Sequence, residues 1–449
     1  MAQLKATYKE IFQIATPLIV GNLAWTMNGL FDTIFVGNLG KVELDAIGFA
    51  SIFYSVLFMM GFSFTRGTQL LIARRMGELN RKEVGNIFDN TIVALMAVAV
   101  TLFVVVKIFL HQILSFMLTN PEVISKCEEF LHYRMWGLIP SFLTFIFIAF
   151  YSGIGKTMIL MVSIALMTVL NISLNYGLVY GKLGLPHIGI GGSGAATSIS
   201  ETIAVLVLLG GTFIKSRIHD FALFKFRKID LPLLKQMGNI SVPLMLQTLI
   251  AVGGWLFLFA RIETVLGTAD LAVSTIFRQL ILFLTIPTWS LGSTANTVIS
   301  NLVGQKDFEG VKLALQRISL VSLGFAVFSC LLVFLFPRFF VGMFIKFIDE
   351  KDYNILMERA LAALPVLYVT FLIMSFSNIV FNGVISVGSI YTALLIEVVV
   401  IVIYVAYFSV LFTFPFVNIF WIWTAEWIYW ISMFAGSMIF FRYKHLKVV

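Results

Sequence analysis

Hydrophobic residues along this chain form long continuous runs, separated by short polar connections. Each run has roughly the 17–25 residues that an α-helix needs to cross a bilayer. Twelve runs are predicted, at about residues 11–36, 46–73, 90–110, 135–151, 157–180, 193–214, 239–262, 270–301, 314–336, 358–381, 388–413 and 418–441. A β-barrel is excluded, because barrel strands alternate apolar and polar residues over about ten positions. The pattern predicts an all-α polytopic membrane protein with 12 transmembrane helices.

The last six runs repeat features of the first six. Three residue pairs mark the repeat at separations of 226, 227 and 225 positions: Pro17 and Pro243, Gly77 and Gly304, and Pro140 and Pro365. Transporters place their substrate between two such bundles and rock one against the other. We therefore predict two pseudo-symmetric six-helix lobes, an N-lobe at residues 1–214 and a C-lobe at 239–449. Residues 215–238 form a cytoplasmic linker, which is either an amphipathic strip on lipid headgroups or a plain connection.

Composition agrees with lipid as the main solvent, since 59% of residues are hydrophobic and 12% are charged. The connections on one side of the predicted spans contain nineteen Lys and Arg residues and those on the other side seven. By the positive-inside rule, both termini are cytoplasmic in a bacterial-type inner (plasma) membrane. The net charge of +8 then reflects membrane topology, and we expect no nucleic-acid partner.

Charged residues inside the spans are informative, because each costs about 2.5–3.5 kcal/mol on insertion scales. Those away from the span ends are Asp32, Arg66, Glu201, Arg278, Glu397 and Glu426, and Lys107 and Arg261 lie near helix ends. Each one is therefore a candidate for a functional site or for a buried polar contact between helices.

Asp32 in the first span is the strongest candidate for ion coupling. Asn171 and Asn175 lie four residues apart on the fifth span and share one face at the same depth, and Glu201 lies at that depth on the sixth. These four side chains are predicted to form a proton-coupling site, or alternatively a static polar knot between helices. Pro17 removes a backbone hydrogen bond in the first span, so a bend there is a further hypothesis.

The second half has its own candidates. Arg278 and Glu426 lie at equal depth in two spans, which predicts an ion pair between them. Glu397 has no evident partner in the sequence and is a candidate second titrating or substrate-facing group. Arg66 either extends its guanidinium to the cytoplasmic interface or contacts an anion.

Nearly the whole chain resembles the multidrug and toxic compound extrusion (MATE) family. The resemblance lies in an ordered set of segments: residues 15–18 (ATPL), 31–40 (FDTIFVGNLG), 67–77 (GTQLLIARRMG), 171–186 (NISLNYGLVYGKLGLP), 189–197 (GIGGSGAAT) and 301–305 (NLVGQ). It implies two lobes around a central cavity and export driven by a proton or sodium gradient. In the DinF-like branch, which the chain is similar to, the acid corresponding to Asp32 is the protonated switch. Where that family often has Asp, this chain has Asn175, so the proton would be carried by Asp32 with Glu201 as a helper.

The expected function is proton-coupled antiport of amphipathic or cationic small molecules by alternating access. The alternatives are a flippase for a lipid or lipid-linked substrate and a sodium-coupled antiporter, with Asp32, Asn171 and Asn175 as the sodium site. An enzyme is not expected, because the sequence has no HExxH, G-x-S-x-G or Walker motif. We expect no cofactor and no bound structural metal, and a monomer in the lipid bilayer.

Overall fold

The computed structural model describes residues 3–214, 220–226, 229–345 and 353–443. Apart from one 3-10 turn at Met135–Gly137, the regular structure in these residues is α-helix. The helices are α1 Tyr8–Gly37, α2 Lys41–Gly77, α3 Arg81–Met117, α4 Pro121–Arg134, α5 Leu138–Gly153, α6 Met158–Tyr180, α7 Ile190–Ile214, α8 Leu231–Leu266, α9 Thr268–Leu284, α10 Ile286–Gln305, α11 Phe308–Leu335, α12 Pro337–Ile345, α13 Tyr353–Ala363, α14 Pro365–Ser386, α15 Ile390–Leu411, α16 Ile419–Trp423 and α17 Ala425–Tyr443.

These helices coincide with the predicted spans. By length and hydropathy, nine segments of the described chain are able to cross a membrane, and the bent pair α9–α10, joined at 48°, makes a tenth. Helix α1 and the broken helix α16–α17 cover the two remaining predicted runs. Several spans therefore consist of two helices that meet at a break.

The chain divides into two compact units, residues 16–242 and residues 1–15 with 243–449. We call them the first and the second unit. The predicted boundaries at residues 214 and 239 differ from this grouping, because residues 1–15 belong with the second half of the sequence. Residues 231–242 are already helical in α8 and belong with the first half. The chain passes from one unit to the other at two points, and each point lies beside one of the repeated prolines, Pro17 or Pro243.

Part of the predicted linker is integrated into the first unit. The Asp89 carboxylate accepts hydrogen bonds from the backbone N–H groups of Phe224 (2.7 Å), Lys225 (2.8 Å) and Phe226 (3.0 Å). The ring of Phe221 is buried and packs edge-on against Phe150. The described part of this segment is thus held by protein contacts, while residues 215–219 and 227–228 lie outside the described residues.

The start of the chain is held in the second unit in a similar way. Asn301 accepts a hydrogen bond from the backbone N–H of Leu4 (3.1 Å), and Gln305 donates to the carbonyl of Leu4 (2.9 Å). Arg317 donates to the backbone carbonyl of Ala6 (3.0 Å). These three side chains fix the segment from which α1 begins.

Helix α7 lies close to its neighbours because its first turns are glycine-rich. A Cβ at Gly192 would lie 2.6 Å from the carbonyl oxygen of Leu178 in α6, and one at Gly194 would lie 2.5 Å from that of Phe130 in α4. Small residues at helix interfaces allow this close approach in membranes. The packing of α7 against α6 and α4 fixes the polar side chains that follow the glycines.

Candidate functional site

Helices α1, α6 and α7 bring one carboxylate, two amides and a hydroxyl together in the first unit. Asp32 Oδ1 accepts a hydrogen bond from Asn175 Nδ2 (2.8 Å), and Asp32 Oδ2 accepts one from Thr197 Oγ1 (3.1 Å). Asn171 Nδ2 in turn donates to Thr197 Oγ1 (2.9 Å). The predicted association of Asp32 with the two asparagines is present in the structure. We call these four residues the Asp32 cluster.

Helical geometry accounts for this arrangement. Asn171 and Asn175 are separated by one turn of α6, and Asn175 Nδ2 also bonds the backbone carbonyl of Asn171 (3.0 Å). Both asparagine side chains are fully buried, whereas Asp32 is half-buried. The amides are therefore fixed within the protein, and the carboxylate that they contact remains partly accessible.

Several oxygen atoms around the cluster lack a hydrogen-bond donor among the described residues. They are the buried Oδ1 atoms of Asn171 and Asn175, the Oγ of Ser193, and Oδ1 of Asn28, one turn before Asp32 in α1. Buried polar atoms normally have partners. The site therefore has capacity to accept donors or a cation beyond the contacts that the protein supplies.

Glu201 does not join the Asp32 cluster, contrary to the sequence prediction. Its carboxylate forms a two-point ion pair with Arg134, with distances of 2.7 Å and 2.8 Å. Glu201 lies one helical turn beyond Thr197 on α7, where the buried Arg134 side chain of α4 contacts it. The partner of Glu201 is therefore a buried arginine and not the Asp32 cluster.

Two residues of this region were missed by the sequence reasoning. Arg134 was counted among the cations of the outer connections, yet its side chain is buried at the end of α4. Thr197 lies one turn before Glu201 on α7. Thr197 could have been found from its position four residues before the intramembrane acid Glu201, because residues at this spacing share a helix face. Nothing in the local sequence distinguished Arg134 from a surface cation.

Pro17 lies inside α1, as predicted. It is also next to the residue at which the chain passes into the first unit. Its role as a controlled bend stays a prediction.

The second unit contains two buried acids, and the predicted ion pair is wrong. Glu426 accepts hydrogen bonds from Trp255 Nε1 (2.9 Å) and Tyr404 OH (3.1 Å), and no ion pair with Arg278 is present in the described chain. Arg278 instead lies over the ring of Phe259, 5.7 Å from its centroid. Aromatic N–H and O–H groups thus replace the expected arginine.

Glu397, for which the sequence indicated no partner, has two hydrogen-bond donors, and its role as a titrating or substrate-facing group stays a prediction. Its carboxylate accepts hydrogen bonds from Gln247 Nε2 (3.2 Å) and Tyr429 OH (2.7 Å). The rings of Tyr404 and Tyr429 are 5.7 Å apart, so the environments of the two acids adjoin. Within the described residues, no three His, Cys, Asp or Glu side chains are grouped so as to hold a metal ion.

Comparison with known proteins agrees with this organisation. The MatE family model matches residues 17–177 and 243–411, one segment in each half of the repeat. Among curated relatives, the probable multidrug resistance protein NorM of Rhizobium meliloti (strain 1021) is 25% identical over 340 residues, covering 75% of this chain and 72% of the relative. The multidrug resistance protein NorM of Vibrio vulnificus (strain YJ016) is 27% identical over 340 residues, covering 74% and 73%.

The fold is shared with solved transporters. A structure described as the outward-facing conformation of a multidrug resistance MATE family transporter of the MOP superfamily superposes with a TM-score of 0.89 at 18% identity, covering 98% of this chain and 97% of the other. The predicted all-α membrane fold with twelve helices in two lobes is confirmed. The match to the family model extends over most of the chain, and the protein therefore belongs to the MATE family of membrane transporters, which are carriers and not enzymes.

Proposed function

We propose that this protein exports amphipathic, often cationic, small molecules in exchange for protons, with Asp32 as the coupling group. The observation that carries the proposal is the state of the Asp32 carboxylate. It is half-buried, it accepts two hydrogen bonds, and it belongs to none of the ion pairs in the described chain. An intramembrane acid without a paired base is suited to take up and release a proton.

Exchange follows from the charge of this carboxylate. Ionised Asp32 attracts a cation or a donor on the cargo, whereas protonated Asp32 has no net charge and releases it. Asn175 and Thr197 contact the carboxylate but do not change charge themselves, because an amide and a hydroxyl do not titrate in this range. The multidrug resistance names of the NorM relatives support small, chemically varied molecules as the cargo class.

Sodium is the second candidate for the coupling ion, and a specific observation favours it. Asn171 and Asn175, both in the Asp32 cluster, have Oδ1 atoms that accept no hydrogen bond from the described residues. A hard cation binds carboxylate, amide and hydroxyl oxygens. The same cluster therefore offers chemistry for Na⁺ as well as for H⁺.

Replacing the coupling acid tests the proposal directly. Asp32→Asn keeps the size of the side chain and removes its charge, so gradient-driven efflux of a fluorescent organic cation such as ethidium should fall to background. The measurement uses purified protein in proteoliposomes with an imposed pH gradient, and then with a sodium gradient alone. Efflux driven by the pH gradient alone supports proton coupling, and efflux driven only by sodium supports the second candidate.

The exposed Asp45 supplies the matched control, because Asp45→Asn makes the same chemical change outside the cluster. It should transport at the wild-type rate. Normal efflux by Asp32→Asn, at a normal thermal unfolding temperature, would remove Asp32 from the coupling role.

A further inference from the structure

The first unit contains a second buried charged group beside the Asp32 cluster, the ion pair of Arg134 and Glu201. Arg134 Nη1 donates to Glu201 Oε2 at 2.7 Å, and Nη2 donates to Oε1 at 2.8 Å. The two residues are 7% and 2% exposed. Buried pairs of this type are often replaceable by apolar residues without loss of stability. Stability alone therefore gives a weak reason for the pair.

The surroundings hold the guanidinium in one place. It lies over the Tyr54 ring from α2, 3.8 Å from the ring centroid. A Cβ at Gly137, in the turn after α4, would collide with both Arg134 and Glu201. Ser198 Oγ in α7 bonds the backbone carbonyl of Arg134 (3.3 Å). Helices α2, α4 and α7 together leave room for the pair and fix its position.

The pair lies one helical turn from the contact that holds Asp32. Glu201 follows Thr197 by four residues on α7, so their Cβ atoms are about 5–6 Å apart. Thr197 contacts Asp32 and Glu201 contacts Arg134. The Arg134 guanidinium is therefore held about one helical turn along α7 from the contact that holds Asp32. A buried positive charge is thus next to the proposed coupling acid but bound to a different carboxylate.

We propose that Glu201 is a positioning residue that holds Arg134 away from Asp32 and so keeps Asp32 available for ion exchange. This inference rests on the proposed function of Asp32. With Glu201 charged, the guanidinium is neutralised locally, and Asp32 alone gains and loses charge. Without that charge, a buried arginine requires another anion, and Asp32 is the adjacent carboxylate. An Asp32–Arg134 pair would leave no charge for a proton or a cationic cargo to neutralise.

Three variants separate this role from packing and from proton carriage. Glu201→Gln keeps the size and removes the charge, and its efflux rate should fall by about tenfold or more. Glu201→Asp keeps the charge, and the double variant Arg134→Gln with Glu201→Gln removes both charges. Both should transport within about threefold of wild type. The measurement is ethidium efflux from proteoliposomes under a pH gradient.

Each competing role predicts a different ranking of the efflux rates of these variants. If Glu201 acted only through its shape, Gln would be tolerated better than the shorter Asp. If Glu201 carried a proton, the double variant would stay as inactive as Glu201→Gln. Either result overturns the proposal. Glu78→Gln is the matched control, because Glu78 pairs with Arg75 at 2.6 Å at a solvent-accessible site, and it should transport normally.

A thermal-unfolding cycle tests the same contact without transport. In the Glu201→Gln variant, Arg134 should gain Asp32 as its partner. The drop in unfolding temperature caused by Glu201→Gln should therefore be smaller with Asp32 present than in the Asp32→Asn background. Equal drops in the two backgrounds overturn the inference. Normal transport by Asp32→Asn alone would instead reject the proposed function and leave this cycle interpretable.

Discussion

At the scale of single residues, the hydroxyl of Thr197 connects the two halves of the Asp32 cluster. Its one proton can be donated either to Asp32 (3.1 Å) or to the backbone carbonyl of Ser193 (3.0 Å), while it accepts from Asn171 (2.9 Å). A hydroxyl rotates between such acceptors at little cost. In the proposed exchange, protonation of Asp32 would therefore leave Thr197 able to turn to Ser193 and keep a hydrogen bond.

Removal of this hydroxyl should weaken coupling. Thr197→Val preserves the shape but removes the acceptor of Asn171 Nδ2 and the donor to Asp32 Oδ2, and a lost bond to a charged group costs about 1.5–3 kcal/mol. We expect efflux under a pH gradient to fall about tenfold, with rescue by Thr197→Ser. A Thr197→Val protein that transports like the Ser variant would show that the hydroxyl contributes only packing.

The residues of the candidate site were predictable from sequence where a single helix sets their spacing. Asn171 and Asn175 share a face of α6, and depth in the membrane aligns them with Asp32. Glu201 was assigned the wrong partner, because it lies one turn beyond Thr197 on α7 and there meets the buried Arg134 of α4. Glu426 likewise contacts Trp255 and Tyr404 and not Arg278, because position along a span does not specify which side chains face each other.

At the scale of elements, the chain between the repeats adopts an unusual backbone that one side chain stabilises. Ala222, Phe224 and Phe226 have positive φ angles of 55°, 57° and 38°. This region is unfavourable for residues with a side chain. The compensating contact is Asp89, whose carboxylate accepts three consecutive backbone N–H groups. Successive N–H groups in such a conformation form an anion-binding concavity.

Asp89→Asn should destabilise the protein, because an amide replaces one accepting oxygen with a donor that faces backbone N–H groups. The expected loss is about 2 kcal/mol of unfolding free energy, seen as a lower thermal unfolding temperature in detergent. Asp220→Asn, an exposed acid on the same segment, should leave that temperature unchanged. Equal temperatures for Asp89→Asn and wild type would mean that the three contacts add little.

The contact of Asp89 with residues 224–226 could not be predicted from the sequence, although most helices could. Hydropathy located the spans but not the exact helix ends. Helix α8, for example, begins at Leu231, before the predicted start at 239. Polar and basic residues over 215–238 indicated a linker, but Asp89 lies near the end of another span. No spacing rule connects positions so far apart in the chain, and the capture of residues 224–226 required the tertiary structure.

At the scale of the whole molecule, the number of charges that cycle determines the response to membrane voltage. Each net charge moved across 100 mV is worth about 2.3 kcal/mol, which corresponds to about a 50-fold concentration ratio. With Asp32 as the only cycling acid, one proton replaces one monovalent cation, and both loaded forms are neutral. Exchange of this kind is electroneutral.

A potassium diffusion potential set with valinomycin, at equal pH on both sides, should therefore drive no accumulation of a monovalent cation such as ethidium. A pH gradient of equal energy should drive accumulation. Voltage-driven transport would show that further charge moves in the cycle, and the buried acids Glu397 and Glu426 of the second unit would be the first to replace with Gln. If accumulation of ethidium no longer responds to voltage in one of those variants, the replaced acid carries the additional charge.

The grouping of residues 1–15 with the second half, and of 231–242 with the first half, has a consequence for the origin of the gene. In a single ancestral copy of the repeat, the N-terminal segment would not have packed against the helices of its own bundle. Two copies of that ancestor would have exchanged these segments reciprocally, as in a swapped homodimer. Fusion of the duplicated genes would then have preserved an exchange that already existed between separate polypeptides.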